Sequence, residues 1–470
     1  MAGFFDTIIP KKKNEGYIQP LDQKSKTKVL YGEEYNNGKP IFKGTPLFTV
    51  PGAPDTGNAI DSIPITEDLL SRHLMILGGI GTGKTNTFYH LMDGIEASLG
   101  KEDIAIIFDS KGDFYKEFHK PGDIVISNDD RSIGLNEETD YWNILEEIDA
   151  NHPMESIRDI CTSLFKENLK KSSNPFFPNA AIDLLCAIMY IFYNLNDAEI
   201  RNNQGLLEYL STRSIADLSE ILEKYDGGRF ESVRTHISNT DSGQAMGVVA
   251  EMNAVIHKLF IGNFAKAGHL GLSELVRKRG GIKVFIEYDL KTGEALTPIY
   301  SLMVDSAIKE ALSNTGSDSP SGSVYILADE FKLLPNLNHI DDAVNFGRSM
   351  GIKMIIGLQA ITQIYDNYGE YRAKNILSGF MSSFFFRVNN YESREYIKNY
   401  FGTHLESISF VQQYTEGVQL EKNEVIKDKD VTSLGLGEAI IAIPNISPFK
   451  FHFGKWQRCR SDHAFSVNDL

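Results

Sequence analysis

Three scarcities frame this chain of 470 residues: cysteine, long apolar runs and positive charge. The three cysteines, Cys161, Cys186 and Cys459, are far apart and form no C-x-x-C pair. That argues against a disulfide framework or a thiolate metal site and suits a reducing compartment, the cytoplasm. No uninterrupted apolar run reaches the roughly 18 residues that crossing a bilayer takes. The best candidate, Ala180 to Leu195, is short for a span and contains Asp183. Its apolar residues Ala181, Leu184, Leu185, Ile188, Phe192 and Leu195 fall at helical spacing, the pattern of a buried core helix. The N-terminus ends its first stretch in Lys11-Lys12-Lys13 but lacks the apolar region and cleavage site of a secretory signal. It reads as a solvated end or as a weak contact with a membrane surface or partner. Lys and Arg number 47 against 63 Asp and Glu, a net charge of −16. This excludes a surface that coats nucleic acid all over, and leaves room only for a local grip by a few basic loops, as in the channel of a ring.

What the chain does have is Gly78-Gly79-Ile80-Gly81-Thr82-Gly83-Lys84-Thr85, the G-x-x-x-x-G-K-[ST] phosphate-binding loop. His73 to Leu77 reads as a short buried strand before it and Asn86 to Ile95 as a helix after it. Gly78, Gly81, Thr82 and Gly83 allow a tight turn whose N–H groups face phosphate oxygens, and the helix N-terminus adds partial positive charge. Lys84 is placed to reach the β- and γ-phosphates of ATP, and the Thr85 hydroxyl to ligate Mg2+.

A second motif, Val324-Tyr325-Ile326-Leu327-Ala328-Asp329-Glu330, is a buried strand ending in two acids. In phosphate-transfer chemistry Asp329 would hold the Mg2+ shell and Glu330 would act as general base on the attacking water. Gln359 ends the next strand, where an amide can sense a γ-phosphate or position water. Arg348, in Phe346 to Ile352, is either an arginine finger toward a neighbouring subunit or a surface ion pair or helix cap. Asp109 ends the strand 104–108, either near the nucleotide or as a cap of the following turn.

Strand candidates at 73–77, 104–108, 123–126, 282–287, 324–329, 352–356, 383–387 and 438–443 alternate with helices. Several are continuous apolar runs, as in a mostly parallel α/β sheet covered on both faces. The block 145–265 lacks strands and carries helix-like segments at 152–166, 178–196, 204–224 and 245–260. The expected units are a β-rich segment at 1–70, a nucleotide-binding domain at 71–144 and 266–470, and an all-helical insertion at 145–265. Asn37-Gly38 between Val29–Tyr35 and Ile41–Phe42 suggests a hairpin in the first unit. Residues 312–323 suggest a loop.

Together these stretches resemble the coupling ATPases of type IV secretion and conjugation, of the TraG/TraD type, within the wider FtsK/HerA-like group of DNA-pumping ATPases. The resemblance rests on His73 to Thr85, and on Phe108-Asp109-Ser110-Lys111-Gly112-Asp113, similar to a D-P-K-G-E/D segment with Ser110 in place of Pro. It rests also on Tyr141 to Leu145, on Asn174 to Ala181, and above all on Leu327 to Phe331, Gly347 to Ile352, Gln359 and Gln363 to Gly369. It implies a RecA-like P-loop NTPase fold and a hexameric ring with ATP and Mg2+ between subunits. It makes Arg348 a finger acting in trans and Gln359 a γ-phosphate sensor, and turns the helical insertion toward the substrate. The implied cargo is DNA or a relaxase–DNA complex. Most members of that family begin with transmembrane helices, and this sequence shows none. The expected location is therefore cytoplasmic or peripheral at the inner face of the membrane, with a separate membrane-anchored secretion component as partner. A soluble DNA pump in repair or defence, or a nucleotide-gated adaptor for protein substrates, are the alternatives. The basic clusters Lys166–Lys171, Arg277–Arg279 and Lys455–Arg460 are either channel-facing or solvated.

Overall fold

The computed structural model describes residues 26–35, 39–128, 131–197, 199–225, 228–313, 322–412 and 415–458. Lys11–Lys13, the Asn37-Gly38 turn, most of the 312–323 loop, Cys459 and Arg460 lie outside the described residues. In chain order the strands are β1 (Lys26–Tyr31), β2 (Pro46–Pro51), β3 (Ser62–Thr66), β4 (Leu74–Leu77), β5 (Ile104–Asp109), β6 (Ile124–Ile126), β7 (Ile282–Glu287), β8 (Val324–Ala328), β9 (Ile352–Leu358), β10 (Ser382–Phe386), β11 (Thr403–Gln412), β12 (Thr415–Glu424), β13 (Glu438–Ile443) and β14 (Ile446–His452).

Nine of these form one sheet in the order β14-β13-β10-β4-β9-β8-β5-β7-β6. Neighbours from β10 to β6 pair in parallel, and β13 and β14 add an antiparallel hairpin at one edge. Every residue of β4, β5, β8, β9 and β10 is buried. Helices therefore cover both faces, and the apolar core divides into one cluster per face. The parallel register places the C-terminal ends of β4, β5, β8 and β9 along one rim of the sheet, where ligands bind in such folds.

The N-terminal β segment forms differently from the sequence expectation. Val29 sits in β1, which pairs with β11 of the distant β11–β12 hairpin, while Ile41 and Phe42 belong to no strand. The local hairpin is β2–β3 instead. Asn-Gly chemistry marks a turn but says nothing of a partner strand some 370 residues away, and that long-range pairing decides β1.

Between β6 and β7 lie the helices Pro153–Lys171, Phe176–Tyr193, Asn203–Thr212, Ile215–Lys224, Glu231–Arg234, Gly243–Leu259 and Leu272–Lys278. The segment expected as one helix at 204–224 is two. Ser214 caps the second, its hydroxyl accepting from Asp217 N–H while Asp217 accepts from Ser214 N–H, a capping box that restarts the helix. Phe176–Tyr193 is the buried core helix expected around Ala180 to Leu195, longer than the short stretch read there. With 18 residues and a mean hydropathy of 1.6, it is long and apolar enough to cross a membrane by length and composition. Here it packs against Pro153–Lys171 and Gly243–Leu259, with two-thirds of its residues buried. Cys161 and Cys186, both free, are buried between the first two of these helices.

The two crossings between sheet and helices are stitched to each other. Asn143 N–H donates to Leu270 O (2.9 Å) and Leu270 N–H to Tyr141 O (3.0 Å). Buried Glu147 accepts from Trp142 Nε1 (2.8 Å), Leu272 N–H (2.7 Å), Ser273 N–H (3.0 Å) and Ser273 Oγ (2.9 Å). Glu147→Ala strands those donors in the core, where each costs roughly 1–3 kcal/mol. The variant is expected to lose about 3–5 kcal/mol, read as a lower urea midpoint in tryptophan fluorescence, with Glu147→Gln losing less because it keeps an acceptor oxygen.

Candidate nucleotide-binding site

β4 ends at Leu77 and the helix Lys84–Ser98 begins after six intervening residues, so Gly78–Gly83 must turn tightly. Gly81 (φ 70°) and Gly83 (φ 114°) occupy the left-handed region, which side chains other than glycine rarely enter. A Cβ on Gly83 would come within 3.0 Å of Gly437 Cα. Gly437 N–H also donates to Thr82 O (2.9 Å), so the β12–β13 connection braces the loop from outside. Thr82 Oγ1 closes the turn on Gly79 O (2.9 Å). Lys84 folds back into the loop, donating to the Gly78 and Gly79 carbonyls. Burial pulls its ammonium down to about 8, against the opposing pull of Glu330 and Asp329.

Two strands away, β8 delivers Asp329 and Glu330 to the same rim. Burial, then the neighbouring Asp109 carboxylate, pushes Asp329 up to about 7. Ser110 Oγ donates to Asp329 Oδ1 (3.2 Å). Asp109 ends β5, paired in register so that Phe108 faces Ala328. Its buried carboxylate accepts from Tyr115 N–H (2.8 Å) and Lys111 N–H (3.2 Å), and thus organises the Ser110–Asp113 turn. Burial raises its pKa as well. Gln359 directly follows β9, where its side-chain amide donates to Glu330 Oε2 and its own N–H is held by Gln363 Oε1 (3.0 Å). Glu330 Oε1 is buried with no hydrogen-bond donor, Lys332 Nζ standing 3.9 Å away.

The rim therefore gathers the Gly78–Thr85 loop, Asp109, Asp329, Glu330 and Gln359. Arg348 stands elsewhere. It precedes β9, whose seven residues put it about 20 Å from the Gln359 end of the strand. It is exposed and pairs with Asp68 (2.9 Å). Ser110, Lys111 and Gln363 went unassigned in the sequence reading; the signal available for the first two was their place just past a strand end. Two of the basic clusters, Lys166–Lys171 and Arg277–Arg279, are tied down. Lys166 and Lys170 donate to Asn336 and Lys166 also to Asn338. Arg277 forks onto Glu310, and Arg279 is buried against the Glu102 carbonyl. A cavity of about 940 Å3 lies between helices Glu370–Gly379 and Tyr391–Phe401, away from this rim. Motif chemistry rather than cavity size singles out the site.

A parallel sheet with a glycine loop before one helix and paired acids at the end of a strand two places away on the same rim defines a P-loop nucleotide-binding protein. Residues 58–442 match the family of the type IV secretion-system coupling protein DNA-binding domain, and the chain belongs to that family. It is 22% identical over 395 residues to coupling protein TraD of Escherichia coli (strain K12), covering 80% of this chain and 50% of that protein. The chain thus spans half the length of that curated relative. Its fold is similar to that of the plasmid coupling protein TrwB in complex with the ATP analogue ADPNP, with a TM-score of 0.68 at 18% identity over 94% of this chain and 97% of that one. TrwB in complex with ADP and Mg2+ gives a TM-score of 0.59 at 19% identity over 84% and 88%.

Proposed function

We propose that this chain is the motor of a type IV coupling protein, an ATPase that drives DNA or a relaxase–DNA complex toward a secretion or conjugation channel. The observation that carries the chemistry is Glu330: one carboxylate oxygen is held by Gln359, and the other, buried and without a donor, is free to accept a proton from water. Lys84 exchanges the Gly78 and Gly79 carbonyls for β- and γ-phosphate oxygens. The loop N–H groups hold the rest of the triphosphate, and Gln359 keeps Glu330 and the γ-phosphate in one frame.

The residues fit Mg2+. Thr85 and Asp329 offer two oxygen ligands, and among the described residues no group of three or more His, Cys, Asp or Glu is placed to hold a metal ion by itself. That sparse set suits an ion that keeps waters and takes phosphate oxygens rather than a full protein cage. Held there by Thr85 and Asp329, Mg2+ would supply neutralisation of the triphosphate's charge.

Arg348 is too far from its own loop to serve it, which supports a ring in which it reaches the next subunit's nucleotide. The helices between β6 and β7, within 145–265, are read as the insertion that faces the cargo. The free, buried thiols of Cys161 and Cys186 suit a cytoplasmic location, with a membrane-anchored secretion component as partner. ATP hydrolysis by the purified protein is expected to rise severalfold on adding single- or double-stranded DNA at low salt, and to lose that stimulation as salt rises. Turnover indifferent to DNA at every salt concentration would overturn the DNA-motor reading.

A further inference from the structure

The turn after β5 does more than end a strand. Asp109 grips it through the N–H groups of Lys111 and Tyr115, and Gly112 adopts φ 69° so that the chain can double back into the helix Asp113–Phe118. The Ser110 hydroxyl, buried, reaches across from β5 to Asp329 Oδ1 (3.2 Å). The turn is therefore locked on one side to its own strand and on the other to the carboxylate placed to hold Mg2+. What it presents outward is Lys111. This side chain is exposed and makes no ion pair among the described residues, although three carboxylates, Asp109, Asp329 and Glu330, line the adjoining rim. Its charge acts on both Asp329 and Lys84, holding the acid's pKa down and depressing the ammonium's further. An exposed lysine without an ion pair among the described residues, on a turn pinned at both ends beside the paired acids, has the properties of a ligand contact.

We propose that Lys111 is a second phosphate-binding cation of the nucleotide site, facing the terminal phosphate of a nucleoside triphosphate, and that Ser110 is a positioning residue that aims Asp329 at the metal. This rests on the nucleotide-site reading above. Lys84, from below, and Lys111, from the β5 side, then bracket the γ-phosphate, so triphosphate and diphosphate are distinguished before chemistry begins. Loss of that phosphate frees Lys111 and with it the outward face of the turn.

The test compares calorimetric binding of ADP and of ADPNP, each with Mg2+, to the full chain. Lys111→Ala is expected to weaken ADPNP about tenfold or more, as loss of a charge-assisted hydrogen bond does, and ADP less than twofold. Lys111→Arg is expected to restore ADPNP binding. Equal losses for the two nucleotides, or no loss, overturn the role of Lys111. Ser110→Ala is expected to weaken ADP about threefold or more with Mg2+ present while leaving binding in EDTA unchanged. Unchanged binding in Mg2+, or equal loss in both conditions, overturns the positioning role. Failure of the unmodified chain to bind either nucleotide would instead refute the underlying site.

Discussion

Glu330→Gln is expected to lower ATP turnover about 100- to 10,000-fold, the contribution of a positioned general base, while nucleotide affinity stays within a few-fold of the unmodified protein. The geometry separates these two quantities. Glu330 does not belong to the phosphate loop; it meets Gln359 through one oxygen and leaves the other free. Glutamine keeps the size and one acceptor but cannot take a proton, so water is still held and no longer activated. A parallel loss of affinity would mean that the substitution had disturbed the rim. Unchanged turnover would mean that another group is the base. Single-turnover kinetics beside calorimetric affinity distinguishes these outcomes.

Arg348→Ala is expected to reduce turnover about 1,000-fold or more if it acts as a finger in trans, with thermal stability almost unchanged. The ion pair it loses, to Asp68, is exposed on both partners, and such pairs contribute about 0–1 kcal/mol. Asp68 also keeps Arg72 as a partner. A large kinetic loss therefore could not come from destabilisation of the chain. Mixing decides whether the contact is between subunits. An Arg348→Ala chain keeps its phosphate loop, and a Lys84→Ala chain keeps its arginine. Where the loop of the first meets the arginine of the second, one site is whole. Mixtures are expected to recover activity that neither variant has alone. No recovery, or an Arg348→Ala protein with normal turnover, would overturn the ring arrangement.

Much of this site was legible in order along the chain. The phosphate loop and the Asp329-Glu330 pair are local patterns, because a glycine turn and a strand end impose their spacing directly. The eight predicted strands recur within a residue or two in the sheet, since uninterrupted apolar runs such as Ile104 to Phe108 are what a strand covered on both faces demands. Less was legible at the edges. The expected hairpin at 29–42 gave way to pairing of β1 with β11, and the β11–β12 and β13–β14 pairings depend on partners the local sequence does not name. The helix Phe176–Tyr193 was legible as a buried core helix from its spacing, while the helices packed on it, which account for its membrane-like length and hydropathy, were not named by it.

The sequence by itself determined which groups are available: a glycine loop of phosphate-binding pattern, an acid proposed to hold metal, an acid proposed as base, and a chain of parallel strands to carry them. These are short-range consequences of residue type and spacing. Only the tertiary structure decided which groups meet. It brought Ser110 to Asp329 and Gln359 to Glu330, braced the loop with Gly437, and set Arg348 at the far end of β9 from Gln359. The reason is physical: hydrogen bonds and charges act over a few ångströms of space, whatever the separation along the chain, and the order β9-β8-β5 of the sheet sets those distances.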